Sequence, residues 1–358
     1  MFDHLRTKVS QNLFLKFKQQ ESKIHEISYL FWECTSRCNL NCLHCGSDCS
    51  KDNHHADMPM EDFFKAIDTI KQARYPVTVV LTGGEPLLRK DIETCGKELR
   101  RRGFRWSMVS NAYLYNENKH NSLLNAVMGA LTFSLDGMEE NHNWLRNSKT
   151  IFKKVDKAID LAVSSSRLNF DIVTCVNQRN LNELPDIYDY LIRKGVKAWR
   201  LFTIAPIGRA VTNKELMLKP GQLKLLLDFI AGKRSEKVMD MKFSCEGYVG
   251  HYENLVRDGF FFCRAGINIG SVLIDGSISA CPNIDRSFSQ GNIYHDNFFH
   301  IWQTGFQDFR NRDWAKKGRC KNCKDFKYCQ GNGLHFWHGD KENVLVCHKE
   351  QLDSWTVG

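Results

Sequence analysis

No run in this 358-residue chain comes near the ~18 consecutive apolar residues that a membrane-spanning helix needs. Nor does its N-terminus, MFDHLRTKVSQNLFLKFKQQESKIHE, hold an apolar signal-peptide block; it is charged throughout. A membrane partner is therefore not expected, and a cytoplasmic location is. The chain also lacks a concentrated basic stretch to match its net charge of +9. Its densest cluster, Arg100-Arg101-Arg102, falls at the end of a predicted helix, where cations favour the dipole. Nucleic acid is accordingly not an expected partner, and a basic groove for an acidic peptide has little behind it. Cysteine, by contrast, is abundant. Fourteen of them in a chain with no export signal argue for metal ligation over disulfides. The length suffices for two domains, and the apolar and charged fractions are those of a globular protein.

Three cysteines stand together in Cys38-Asn-Leu-Asn-Cys42-Leu-His44-Cys45. At this spacing all three can face one point from a short loop, and soft thiolates suit iron–sulfur clusters or zinc. Zinc sites usually pair cysteines two to four residues apart, with a second pair elsewhere. The nearby Cys34 and Cys49 fit neither standard spacing. Three protein ligands on a four-iron cluster would leave one iron open.

Around this loop runs a regular alternation. Residues 1–26 read as an amphipathic arm, with Leu13, Phe14 and Phe17 able to pack on the main domain. Strands are predicted at Ile27–Cys34, Pro76–Thr82, Phe104–Ser110, Leu131–Leu135, Phe170–Val176 and Ala198–Ile204. Helical stripes lie between them: Phe63, Ile67 and Ile70 after Met58-Pro59; Leu88, Ile92, Cys95 and Leu99 up to Gly103; residues 115–128; Ile151, Val155, Ala158 and Ala162; and 182–194. Cys95 lies on an apolar stripe and reads as a small buried residue. Six β-then-α units imply parallel strands with right-handed crossovers, in an open doubly wound sheet or a full or partial barrel. After a helix carrying Leu223, Leu227 and Ile230 the rhythm changes near residue 235. Glycine, cysteine and aromatic residues then become frequent.

The pattern C-x3-C-x2-C, with His44 in the aromatic place before the last cysteine, resembles the cluster loop of the radical S-adenosylmethionine (SAM) enzymes. Thr82-Gly83-Gly84-Glu85-Pro86, directly after the second strand, strengthens the resemblance. Two glycines let a backbone approach a ligand closely, and a carboxylate beside them can hold an ammonium group. In the family this segment holds the cosubstrate's amino group. Ser110-Asn111 ends the third strand and Ser134-Leu135-Asp136-Gly137 the fourth, with His142 to Arg146 resembling the family's H-x-x-x-R segment. These small polar groups can bond a ribose or carboxylate, and Arg146 can pair with that carboxylate through its fork. Asn177, ending the fifth strand, is a candidate for the ribose. Pro206-x-Gly208-Arg209-Ala210, after the sixth, also resembles the family. The resemblance selects the six-stranded partial barrel over an open sheet, with its site at the strands' C-terminal ends.

Cys320-x2-Cys323-x5-Cys329, followed by Cys347, offers four thiolates for a closed site and alone could be a zinc module. Behind a radical SAM core it resembles the SPASM domain, whose cysteines hold auxiliary four-iron clusters. Cys263 and Cys281 match the pair that opens that domain. Two expected ligands are missing, since Arg257 and Gly333 stand where the pattern has cysteine. Cys245 is the remaining candidate for a third ligand to a near cluster. Pro282 and Asn283 follow Cys281 where sulfatase-maturing members carry an aspartate base, which disfavours that activity. The stretch from Cys245 to Cys347 looks closest to SPASM proteins of lipoprotein-associated systems.

The resemblance thus implies an arm (1–26), a partial (β/α)6 barrel (27–235) and a small cysteine-rich cluster-binding domain (236–358). Its cofactors would be [4Fe-4S] clusters, one binding SAM and one or two auxiliary, together with SAM. Its chemistry would be reductive cleavage of SAM to a 5′-deoxyadenosyl radical that abstracts hydrogen, most simply from a peptide or protein. The alternatives are radical modification of a small metabolite or carbohydrate, and a non-catalytic zinc or iron–sulfur module. A one-electron donor such as flavodoxin or ferredoxin would be a partner.

Overall fold

The computed structural model describes residues 2–50, 55–70, 76–244 and 246–354. Six parallel strands form its centre: β1 (Tyr29–Thr35), β2 (Thr78–Gly83), β3 (Arg105–Ser110), β4 (Ala130–Ser134), β5 (Asn169–Val176) and β6 (Ala198–Thr203). They lie side by side in chain order. A doubly wound sheet would need that order to reverse, whereas an unbroken order with crossovers of one hand curls the sheet into part of a barrel. The partial barrel expected from the resemblance is the architecture found.

Four strands outside the predicted six extend this sheet. Strand β7 (Asp240–Phe243) adds in parallel to β6, and β8 (Ile269–Val272) adds in parallel to the opposite edge, on β1. Short antiparallel strands β9 (Ser277–Ser279) and β10 (Gly291–Asn292) continue from β8. The C-terminal third therefore grows from both edges of the barrel sheet rather than sitting apart. One apolar core runs through both regions, from Leu30 and Trp32 to Trp302, Phe309 and Trp337.

The helices owe their places to apolar stripes. Helix α1 (Phe2–Ile24) is followed by α2 (Met60–Ile67), whose Phe63 stacks flat on Trp32 of β1, ring centroids 4.1 Å apart. Helix α3 (Ile92–Arg101) buries Ile92, Cys95 and Leu99, so Cys95 is packing, as expected. It lies close on β3 because Gly96 has no Cβ; one there would meet the Trp106 ring at 2.4 Å. The basic run after it is engaged, Arg101 with Glu98 and Arg102 with Asp68 and Glu98. Helices α4 (Glu117–Asn125), α5 (Glu139–Leu145), α6 (Ile151–Ser164), α7 (Leu184–Arg193) and α8 (Pro220–Glu236) make up the remaining connections between strands. Helix α5 falls on the segment read only as a motif.

Helix α1 packs differently from its apolar pattern. Phe14 meets Phe260 and Phe262, but Leu13 is 61% exposed and Phe17 41%. The buried residue of that turn is Lys18. Among the described residues no helix is long and apolar enough to cross a membrane.

Candidate active site

The cysteine loop leaves the C-terminal end of β1 and crosses the barrel mouth. Cys38, Cys42 and Cys45 all face a cavity of about 340 Å3 that also receives Gly83, Gly84, Ser110, Asn111, Ser134 and Arg146. Stretches far apart in sequence thus converge where parallel strands end, the usual place for such a site.

The glycine pair is there for the loop itself. Gly84 N–H donates to Thr35 O at 2.8 Å and Glu85 N–H to Arg37 O at 2.9 Å. A Cβ on Gly83 would lie 2.1 Å from Thr35 O, and one on Gly84 2.1 Å from Arg37 O. The close approach read from the sequence as being toward a ligand is, in the first instance, toward the backbone of the cysteine loop.

Glu85 takes a different part from the expected ammonium contact. It is 1% exposed and accepts from Ser110 Oγ at 2.8 Å, Asn111 N–H at 2.8 Å and Leu87 N–H at 3.1 Å. Its carboxylate braces the ends of β2 and β3 behind the cavity, beside the buried Pro86. Burial pushes its pKa up to about 7, against the pull of those donors. Asn177 likewise faces its own turn, where its Oδ1 accepts from Arg179 N–H at 2.9 Å. Neither Glu85 nor Asn177 lines the cavity.

Asp136 and Arg146 form a buried pair beneath the loop, Arg146 Nε donating to the carboxylate at 2.6 Å. The other Asp136 oxygen accepts from Cys175 N–H at 2.8 Å. Arg146 Nη1 reaches to 3.7 Å from Cys42 Sγ, and Asn111 Nδ2 to 3.8 Å from Cys38 Sγ. Arg146 therefore acts as a bridge between Asp136 and the loop, and its charge is balanced. The Cys45 thiol is held below its ordinary range by hydrogen bonding with Cys49, while burial pushes Cys38 up to about 12. Burial and neighbouring Arg146 pull His44 down to about 4, so its imidazole is neutral.

Arg209 is the residue whose part the sequence understated. Its N–H donates to Cys45 O at 3.1 Å, its Nε to Cys42 O at 2.8 Å and its terminal nitrogens to Cys49 O at 3.1 Å. Gly208, at φ +55°, permits the approach, since a Cβ there would meet Cys45 O at 2.4 Å. The P-x-G-R-A resemblance was its only signal. Cys175, Thr203, Glu246 and His335 also face the cavity and carried none.

The second cysteine set also comes together: burial first, and then the neighbouring thiols of the set, push up the pKa of Cys320, Cys329 and Cys347. Asn332 N–H donates to Cys329 Sγ at 3.2 Å. Cys281 faces the barrel cavity, whereas Cys263 lies by Arg312 on the side of Cys329. Cys245 lies outside the described residues. Among those residues, the one group of three His, Cys, Asp or Glu ligand atoms within 4.8 Å of one another is His44, Asp136 and Cys175. Thiol donors with amide and guanidinium N–H groups beside the sulfurs suit iron–sulfur clusters.

Two family models match the chain: the radical SAM superfamily over residues 32–191, and the SPASM iron–sulfur cluster-binding domain over residues 263–324. The chain thus carries a radical SAM domain and, C-terminal to it, a SPASM domain, and the cofactors of these two domains are [4Fe-4S] clusters and SAM. The AdoMet-dependent heme synthase of Nitratidesulfovibrio vulgaris is 24% identical over 321 residues, covering 84% of this chain and 85% of that one. Among solved structures, native anSMEcpe with bound AdoMet and Cp18Cys peptide aligns with a TM-score of 0.70 at 21% identity, over 92% of this chain and 96% of that one. Streptococcus suis SuiB bound to precursor peptide SuiA aligns at 0.68 and 16% identity, over 87% and 74%. These structures share the fold.

Proposed function

We propose that this chain modifies a peptide or protein by radical chemistry, with the first cluster on Cys38, Cys42 and Cys45. When bound there, the four-iron cluster and SAM supply methionine and a 5′-deoxyadenosyl radical that abstracts hydrogen from substrate. The protein's own contribution is to orient and to exclude water. Gly83, Gly84 and Arg209 fix the loop's backbone, and Asn111 and Arg146 place N–H groups beside two of its sulfurs. Ser134 and the half-buried Gly83 and Gly84 line the cavity in which the cosubstrate would lie. The set Cys320, Cys323, Cys329 and Cys347 holds an auxiliary cluster, and a flavodoxin or ferredoxin supplies the electron.

The observation that carries a peptide substrate is the shape and charge of the cavity. It continues into a second space of about 340 Å3 between the cysteine loop and the C-terminal region, sharing Gly46, Ser47, Ile207, Asn283 and His335 with the first. An extended chain fits such a run better than one compact molecule does. The arginines lining the two spaces are already engaged: Arg146 with Asp136, and Arg286 with Glu33 at 3.1 Å. A substrate rich in carboxylates finds little free positive charge among the described lining residues, and a neutral or basic peptide needs none. The SuiB and anSMEcpe complexes with peptides are in keeping with this reading. Heme synthases among the relatives favour the second reading, a small-molecule substrate. The test is anaerobic incubation of the reconstituted enzyme, SAM and reductant with each short peptide that the genes neighbouring its own are found to encode. A SAM-dependent mass change on one of these peptides supports the proposal. Turnover of an iron porphyrin, with none of any peptide, would replace it with the second reading.

A further inference from the structure

We propose that Lys18 and Arg312 form a pair of buried cations that raise the reduction potential of the auxiliary cluster on Cys320, Cys323, Cys329 and Cys347. The proposal rests on the reading above that these four thiols hold a four-iron cluster.

Lysines on a helix usually extend their ammonium into water. Lys18 does the opposite. It is 4% exposed, turned from α1 into the C-terminal region, and its Nζ donates to Tyr328 O at 2.9 Å, the carbonyl just before Cys329. The rings of Phe261 and Phe262 lie 6.0 and 5.6 Å from it. Arg312, 6% exposed, donates from Nη2 to Asn332 O at 3.0 Å. Asn332 is the residue whose N–H meets Cys329 Sγ at 3.2 Å. Two buried cations thus grip the main chain on either side of one cysteine.

Apart from the Cys263 thiol, which Arg312 also meets, these contacts are carbonyls and aromatic faces, which bear no full negative charge, and burying a cation without one is costly. The buried carboxylate on this side, Glu253, is balanced by others. It accepts from Val249 N–H at 2.8 Å and from Phe261 N–H, and Arg257 approaches to 3.9 Å. With Arg257 set against Glu253, Lys18 and Arg312 leave a net positive environment. Four thiolates around a four-iron core supply the missing negative charge. Reduction adds one more negative charge, so nearby cations favour the reduced form, and net charge and hydrogen bonds to sulfur are known levers on cluster potential. The N-terminal arm therefore delivers a charge to a site about 310 residues away in sequence, and the auxiliary cluster is set up to accept an electron.

The test uses the full chain with Cys38, Cys42 and Cys45 replaced by alanine, reconstituted anaerobically and titrated with reductant under electron paramagnetic resonance. The far-site signal is the one lost on adding Cys347→Ala. Lys18→Met and Arg312→Met should each move its midpoint to more negative potential, and the double variant further, with iron content unchanged. Lys18→Arg and Arg312→Lys should stay near the parent value. A midpoint unmoved in loaded Met variants, or an equal shift in Lys18→Met and Lys18→Arg, would overturn the proposal. So would loss of the cluster from Lys18→Met and Lys18→Arg alike, which would assign Lys18 to packing. Absence of any far-site signal in the parent would instead refute the cluster reading itself, before Lys18 is touched.

Discussion

Glu85→Gln probes the brace behind the cavity. The carboxyl is fully buried and its pKa rises from 4.5 to about 7, with desolvation outweighing three donors. A shift of that size corresponds to roughly 3 kcal/mol between protonation states. Linkage gives the sign. A carboxyl with a raised folded-state pKa stabilises the fold fully below pH 4.5, and that contribution is lost as pH rises through about 7. Integrated between about pH 5 and 8, the loss is about 2.5 kcal/mol. Glutamine cannot ionise, so the variant lacks this slope. It also carries a constant penalty of about 1–2 kcal/mol, because its amide NH2 faces one of the N–H donors. Urea unfolding of wild type and variant across that range, read as the difference between them, cancels other titrating groups. The variant should be less stable near pH 5 and should gain on wild type toward pH 8. A difference constant with pH would refute the burial argument.

Gly84→Ala should be severe, because its Cβ meets the Arg37 carbonyl oxygen and carbon at 2.1 and 2.6 Å and backbone cannot step aside. A loss above about 3 kcal/mol is expected, seen as a lowered melting temperature and poor iron loading. Arg209→Ala removes donors to Cys42 O and Cys49 O, and its Asp48 partner is too exposed to count for much. About 2–3 kcal/mol of loop order should go, giving partial iron content at the first site with the far site intact. Replacing Cys38, Cys42 and Cys45 together should leave at least one four-iron cluster by Mössbauer spectroscopy, whereas stoichiometric zinc without iron would contradict the assignment of the C-terminal set.

The six central strands were legible because a parallel sheet is buried on both faces, so each strand reads as an apolar run set between helical stripes. The cysteine loop and the glycine pair were legible because their spacing is local. What escaped depends on pairing at a distance. Strand β8, Ile-Gly-Ser-Val, is too short to signal itself and is defined by β1, about 240 residues earlier. Lys18 escaped because an apolar stripe in α1 pointed to Leu13 and Phe17, while the face that packs is set by a cluster of aromatic rings late in the chain. Glu85 shows the remaining gap. Its motif was visible, but whether its carboxylate meets a ligand or three protein donors is decided by β3.

On the function proposed above, the Cys38, Cys42 and Cys45 loop performs reductive SAM cleavage. Anaerobically reconstituted wild type, given SAM and a low-potential reductant, should form 5′-deoxyadenosine, and Cys38→Ala, Cys42→Ala and Cys45→Ala should each form none while staying folded by circular dichroism. Full 5′-deoxyadenosine production by any one of these three variants would contradict the account.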